Sequence, residues 1–142
     1  MDRKDELIRK LGLEPLPREG GYFRFISEFG NGAGMIYFLM TEEAFSHLHS
    51  LTEDESWFFL EGDAVEQTTV SPSGEISRTV LDSENRTSVV PKDYFQATRI
   101  TSPKAGYALV CTVMCPRYND DMYTHGADVK RLREMKELED LL

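Results

Sequence analysis

From Tyr22 to Met114 the chain alternates short β-rich runs with turn clusters, about eight to twelve residues apart, and this rhythm constrains its fold more than any other feature. The first run is aromatic, with Tyr22, Phe23, Phe25 and Ile26 after a Gly-Gly turn. It is followed by "MIYFLM", "SHLHSL", "ESWFFLEG", "AVEQTTVS", "ISRTVLD", "TSVVP", "FQATRI" and "GYALVCTVM". The clusters "TEEA", "TEDE", "SPSGE", "SENR", "PKDY" and "SPKAG" separate them, and "NGAG" at Asn31 to Gly34 predicts a hairpin between the first two strands. No helical segment interrupts the series, which argues against a parallel βαβ fold and for an all-β sandwich or barrel.

Helices are expected only at the ends. Leu7, Ile8 and Leu11 fall at helical spacing, and Gly12, Pro15 and Pro17 stop that segment. In "ADVKRLREMKELEDLL" the residues Val129, Leu132, Met135, Leu138 and Leu142 recur in three- and four-residue steps, which predicts a helix over about 126–142. With 142 residues, no linker and no internal repeat, a single domain is expected over 1–142, its barrel over about 20–115.

The formal net charge is −9, so phosphate backbones and anionic membranes are repelled, and neither nucleic acid nor membrane is an expected partner. The charged start "MDRKDELIRKLGLEP" has no apolar signal-peptide core, and no apolar run is long enough to span a bilayer. A cytoplasmic location is the expectation. Cys111 and Cys115 are read as two buried free thiols; no second Cys pair exists to build a structural zinc site.

The stretch "FSHLHSLTEDESWFFLEGD" holds two of the three histidines and the only tryptophan. Side chains at i and i+2 share a strand face, so Phe45, His47 and His49 point one way. Glu55, Trp57 and Phe59 share a face of the next strand. Read as a hairpin about the "LTED" turn, the stretch turns His47, His49 and Glu55 toward one place, a combination able to bind a divalent metal. The alternative is an incidental polar strand.

These residues resemble the first cupin motif, G-x5-H-x-H-x(3,4)-E-x6-G, with His47, His49, Glu55 and Gly62 at its fixed positions and a gap one residue longer than usual before the acid. "VVPKDYFQATRI" resembles the second motif, with Pro91 aligned, Asp93 at the glycine and Gln96 where a histidine is usual. The resemblance is closer still to the cupin branch catalogued as domain of unknown function 985, through "LEPLPREGGYFR", "FSHLH", "DESWFFLEGD" and "VPKDYFQA", all in order. In that branch the positions of His49, Glu55 and Gln96 are regular features and that of His47 varies.

The resemblance implies a double-stranded β-helix jelly roll, a homodimer, and a ligand pocket in the barrel. The motif match places a divalent metal ion (Zn, Ni, Mn or Fe) on His47, His49, Glu55 and Gln96; the resemblance implies no particular reaction, and His49 and Glu55 are the residues expected to be catalytic. Gln96 could equally be a hydrogen-bonding core residue. Trp57 and Tyr94 are core residues that could also form pocket wall. Tyr22 and Arg24 share a strand face; if it turns inward, Arg24 could hold a carboxylate or phosphate of a small-molecule ligand. His125 is expected to be exposed beyond the barrel. The fold hosts many reactions. The reading is a metal-dependent enzyme on a small, polar, sugar-like molecule, of isomerase or epimerase type. The alternatives are a metal-free enzyme using a His base and a Tyr acid, and a non-catalytic binding or sensing module.

Overall fold

The computed structural model describes residues 1–142. Every anticipated run forms a strand: β2 (Tyr22–Phe29), β3 (Ala33–Met40), β4 (Ser46–Leu51), β5 (Glu55–Gly62), β6 (Val65–Val70), β7 (Ile76–Leu81), β8 (Thr87–Val90), β9 (Phe95–Ile100) and β10 (Ala108–Met114). Two short strands that periodicity cannot detect complete the set, β1 (Glu14–Pro15) and β11 (Tyr123–His125). They form two antiparallel sheets, in the orders β1-β2-β3-β10-β5-β8 and β11-β4-β9-β6-β7. This is the jelly roll that the sequence implies.

The topology corrects one expectation. β4 and β5 follow each other in sequence, but they do not form a hairpin. β4 pairs with β9 and β11, whereas β5 pairs with β10 and β8. The "LTED" segment therefore crosses from one sheet to the other, and His49 and Glu55 approach across the barrel interior.

The inner faces close one end of the barrel with a core of Phe38, Met40, Trp57, Phe59 and Val110 from the first sheet against Val65 and Ile100 from the second. Helix α1 (Arg3–Leu11) covers part of the outer face of the first sheet, where Leu7 and Leu13 meet Leu39, Tyr107 and Leu109. Asp2 caps it, accepting from the Asp5 amide at 2.8 Å, and Gly12 ends it in the left-handed region.

The C-terminal segment is not the continuous helix expected. It is a short helix α2 (Lys130–Arg133) between 3₁₀ turns at Gly126–Asp128 and Lys136–Leu141. Its apolar residues keep their role: Leu132, Leu138 and Leu141 bury Leu48, Val70, Phe95 and Ala97 on the outer face of the second sheet. A strict three-residue step (132, 135, 138, 141) drifts round an α-helix but stays on one face of a 3₁₀ turn, which favours this geometry over a docked α-helix. No helix is long and apolar enough to cross a membrane. Cys111 is half-buried and Cys115 exposed; both are free thiols as expected, but neither is buried as expected.

Candidate functional site

At the open end of the barrel the two sheets part around a cavity of about 590 Å³. Its walls are apolar and aromatic: Phe23 and Phe25 of β2, Ile36 and Phe38 of β3, Trp57 of β5, and Leu51 and Met114 from the strand ends. Its polar lining comes from Glu19, Glu55 and Thr112, with Arg18, Arg117, Tyr118, Asp120 and Tyr123 contributed by the flanking loops and β11.

Glu55, the first residue of β5, is buried and receives a hydrogen bond from Gln96 Nε2 at 3.0 Å. The bond links the two sheets, because Gln96 lies on β9 directly beside His49 of β4. The Thr112 hydroxyl lies near the carboxyl and favours its ionised form. Burial nevertheless pushes the Glu55 pKa up to about 7, reinforced by repulsion from Glu19 and only partly offset by His49, Thr112 and Gln96.

His49 is 1% exposed and has its ring stacked on Tyr123, centroids 5.2 Å apart. Its Nδ1 donates to the His47 carbonyl at 2.7 Å. That bond fixes the tautomer and leaves Nε2 as an acceptor, 3.7 Å from Glu19 Oε1. Burial lowers the His49 pKa, so the imidazole is neutral near pH 7 and its approach to Glu19 is not an ion pair. His49 and Gln96 stand one layer behind the cavity surface, which Glu19, Glu55 and Tyr123 form in front of them.

His47 is not on the face expected. The β4–β9 register shifts between Ser46 and His49, which places a β-bulge between them. The extra residue breaks the two-residue alternation, so Ser46 and His49 share the interior and Leu48 packs outward under the C-terminal segment. The His47 ring stacks on Phe45 and its Nδ1 donates to the Glu19 carbonyl at 2.8 Å, where its backbone amide also donates at 2.7 Å. His47 thus holds the segment that carries Glu19 and lines no part of the cavity.

Glu19 is the residue that motif spacing missed. Ser46 Oγ donates to its carboxyl at 2.7 Å, and burial raises its pKa to about 7. The two glycines after it allow the placement. Gly20 has φ +100°, and a Cβ there would overlap the Phe45 carbonyl oxygen; Gly21 has φ +75°, and a Cβ there would overlap the Phe38 ring. Only a chain without side chains at these two positions can lie this close to β3 and β4. An acid immediately before such a pair was the available signal.

Of the proposed wall residues, Trp57 lines the cavity and its buried Nε1 has no hydrogen-bond partner. Tyr94 packs against the closed-end core and not on the cavity. Tyr22 and Arg24 lie on the outer face, because Phe23 and Phe25 take the inner one: Tyr22 packs with the α1 cluster and Arg24 against Gly12. His125 is half-buried at the sheet edge, bonded through Nδ1 to the Tyr123 hydroxyl at 2.8 Å.

The donor set suits a divalent cation in its chemistry. It offers one imidazole nitrogen, two carboxyls, and an amide oxygen, Gln96 Oε1, that is buried without a partner. No Lys or Arg is buried to balance the acids. As the side chains stand, no three His, Cys, Asp or Glu residues converge tightly enough to grip an ion, and Gln96 turns its Nε2, not its Oε1, to Glu55.

The fold has counterparts over nearly the whole chain. A protein from Shewanella oneidensis superposes with a TM-score of 0.83 at 27% identity, over 98% of this chain and 93% of that one. A hypothetical protein from Leishmania major superposes with a TM-score of 0.85 at 21% identity, over 96% and 97%. A mutant form of oxalate decarboxylase from Bacillus subtilis shares the fold at a TM-score of 0.67 and 14% identity; the match spans 89% of this chain and 37% of the decarboxylase. No sequence among curated proteins matches. The family model described as "Cupin superfamily (DUF985)" matches residues 5–125, and the chain belongs to that family.

Proposed function

We propose that this cupin is an enzyme acting on a small molecule by proton transfer, of isomerase or epimerase type, with Glu19 and Glu55 as the acid–base pair and a divalent cation as cofactor. One observation carries the reading: two carboxyls with pKa near 7 line the same largely apolar cavity. At neutral pH such a pair holds one proton between them, because ionising the first resists ionising the second. The ionised member can take a proton from one substrate atom while the protonated member returns one elsewhere, and pKa values near the working pH suit both tasks.

The other residues position this pair. Ser46 orients Glu19, and Gln96 and Thr112 orient Glu55. His49, fixed in one tautomer, presents an acceptor to Glu19. With a cation bound, His49, Gln96 and the ionised Glu55 would hold it, it would polarise a substrate oxygen as a Lewis acid, and Glu19 would remain as the group that exchanges the proton. The Mn(II) centres of Bacillus subtilis oxalate decarboxylase make Mn²⁺ the first ion to test.

The test is calorimetric titration of chelator-treated protein with Mn²⁺, Zn²⁺, Ni²⁺ and Fe²⁺. One site is expected, lost in Glu55→Ala and weakened in Gln96→Leu. Absence of binding by all four ions removes the cation from the reading. A cation-free site using the same carboxyls is the second reading, favoured by the Gln96–Glu55 bond; it predicts turnover that survives chelation. Proton transfer itself is checked by recovering ligand from the protein in D₂O. Ligand without deuterium would make the chain a binding module.

A further inference from the structure

The cavity carries information about its ligand that the acid–base pair does not. Along the first sheet its inner face is built in rungs. Gly34, Met114 and Glu55 lie across from one another at the open end; Phe25, Ile36, Thr112 and Trp57 form the next rung inward. At the Gly34 end stands Arg117, whose Cβ occupies the space that a side chain at position 34 would need. Its guanidinium lies over the Phe25 ring, 4.4 Å from the centroid, and its only ionic partner is Glu28 at 3.4 Å, a half-exposed pair of the kind that contributes little. Glu55 is two strands away from Gly34, a backbone separation of about 10 Å at the usual strand spacing. Between these ends the wall of the first sheet is hydrocarbon and aromatic surface, with the Thr112 hydroxyl as its polar group.

A sugar fits this wall poorly, since its hydroxyls would meet Ile36, Phe25 and Met114 without partners. We infer that the ligand is a carboxylic acid with an apolar body, aromatic or branched, and a second oxygen function at the far end. Its carboxylate pairs with Arg117, its body lies on the Phe25, Ile36 and Met114 wall, and its far oxygen reaches Glu55 and Thr112. The guanidinium suits this task because its fork matches a carboxylate and Phe25 already holds its plane. The inference rests on the cavity being the reacting site, and it names the class of molecule that enters.

Trp57 is the only tryptophan, so its fluorescence reports on the cavity. The full chain is titrated with 3-phenylpropionate and 4-methylpentanoate, with the neutral 3-phenylpropanol, and with glucose. Saturable fluorescence changes are expected for the two acids. A charge-assisted bond to Arg117 makes the acid bind about tenfold more tightly than the alcohol. Arg117→Gln should lose that preference and Arg117→Lys should keep part of it, with thermal melts confirming that both variants fold. The inference is overturned if neither acid gives a saturable response, if glucose binds and the acids do not, or if Arg117→Gln retains the preference. The Mn²⁺ titration on the same preparation separates the two readings: acids without effect on protein that binds Mn²⁺ would sink the ligand class alone, and acids that bind protein unable to take up any metal would leave it standing.

Discussion

Replacing Glu55 by Gln should stabilise the metal-free protein at alkaline pH and do almost nothing at acid pH. Burial raises the Glu55 pKa from 4.5 to about 7. The folded chain therefore holds a proton that the unfolded chain releases between those values. Stability is fully present below the unfolded pKa and is lost as pH rises through the folded one. The whole span corresponds to about 3 kcal/mol, and roughly 2 kcal/mol of it falls between about pH 5 and about pH 8. Gln has nearly the shape of protonated Glu and cannot ionise. It can accept from Gln96 Nε2 as Glu55 does, and its own amide can donate to the unpartnered Gln96 Oε1. Urea unfolding in the presence of a chelator, followed by Trp57 fluorescence and by circular dichroism, measures the difference. With an m-value of about 2 kcal/mol/M for a chain of this size, the midpoint of Glu55→Gln should exceed wild type by about 1.5 M near pH 8 and approach it below about pH 4.5. Saturating Mn²⁺ should reverse the order, because only wild type keeps the carboxylate ligand. Equal midpoints at both pH values, or a less stable variant near pH 8, would refute the reasoning, since Glu55 would then be a carboxylate already satisfied by Thr112 and Gln96.

Other expectations follow from single contacts. Gly20→Ala should cost about 2 kcal/mol or more in chemical unfolding, since it combines a positive φ with overlap on the Phe45 carbonyl; a loss below about 0.5 kcal/mol would mean that the Glu19 segment is loosely held. Leu132→Ala, at a fully buried position of the C-terminal segment, should cost about 3 kcal/mol, and unfolding in one transition would confirm that the segment belongs to the same cooperative unit as the barrel. Asp63→Ala should cost about 3 kcal/mol, because the buried carboxylate accepts from the amides of Lys104, Ala105 and Gly106 at 3.0, 2.8 and 2.8 Å; amide hydrogen exchange of that loop should accelerate with it.

The strands were legible because β-rich runs and turn clusters act locally, and each run became a strand on its own residues. Sheet membership was not legible. Whether β5 pairs with β4 or with β10 depends on which closure buries Trp57 and Phe59, a property of the whole chain that the "LTED" turn does not encode. The bulge in β4 is equally hidden: "SHLHSL" reads as plain alternation, and only pairing with β9 shows that one residue is extra. That single residue moved His47 from the expected ligand set to the support of Glu19, and it brought Ser46 inside to bond the Glu19 carboxyl. The same logic accounts for Tyr22 and Arg24. Either face of "YFRF" could have been the inner one, and the aromatic pair Phe23 and Phe25 went in because α1 offers Tyr22 an apolar surface outside. Arg117, and not Arg24, stands at the cavity mouth. It lies just beyond the last barrel strand, where no periodicity points, and it reaches the cavity because the absence of a side chain at Gly34 gives it room. In both cases a glycine decides the outcome. Gly20 lets Glu19 in beside His49 and Gly34 lets Arg117 in beside Phe25, so the acid at one end of the cavity and the cation at the other depend on positions where the chain has no side chain.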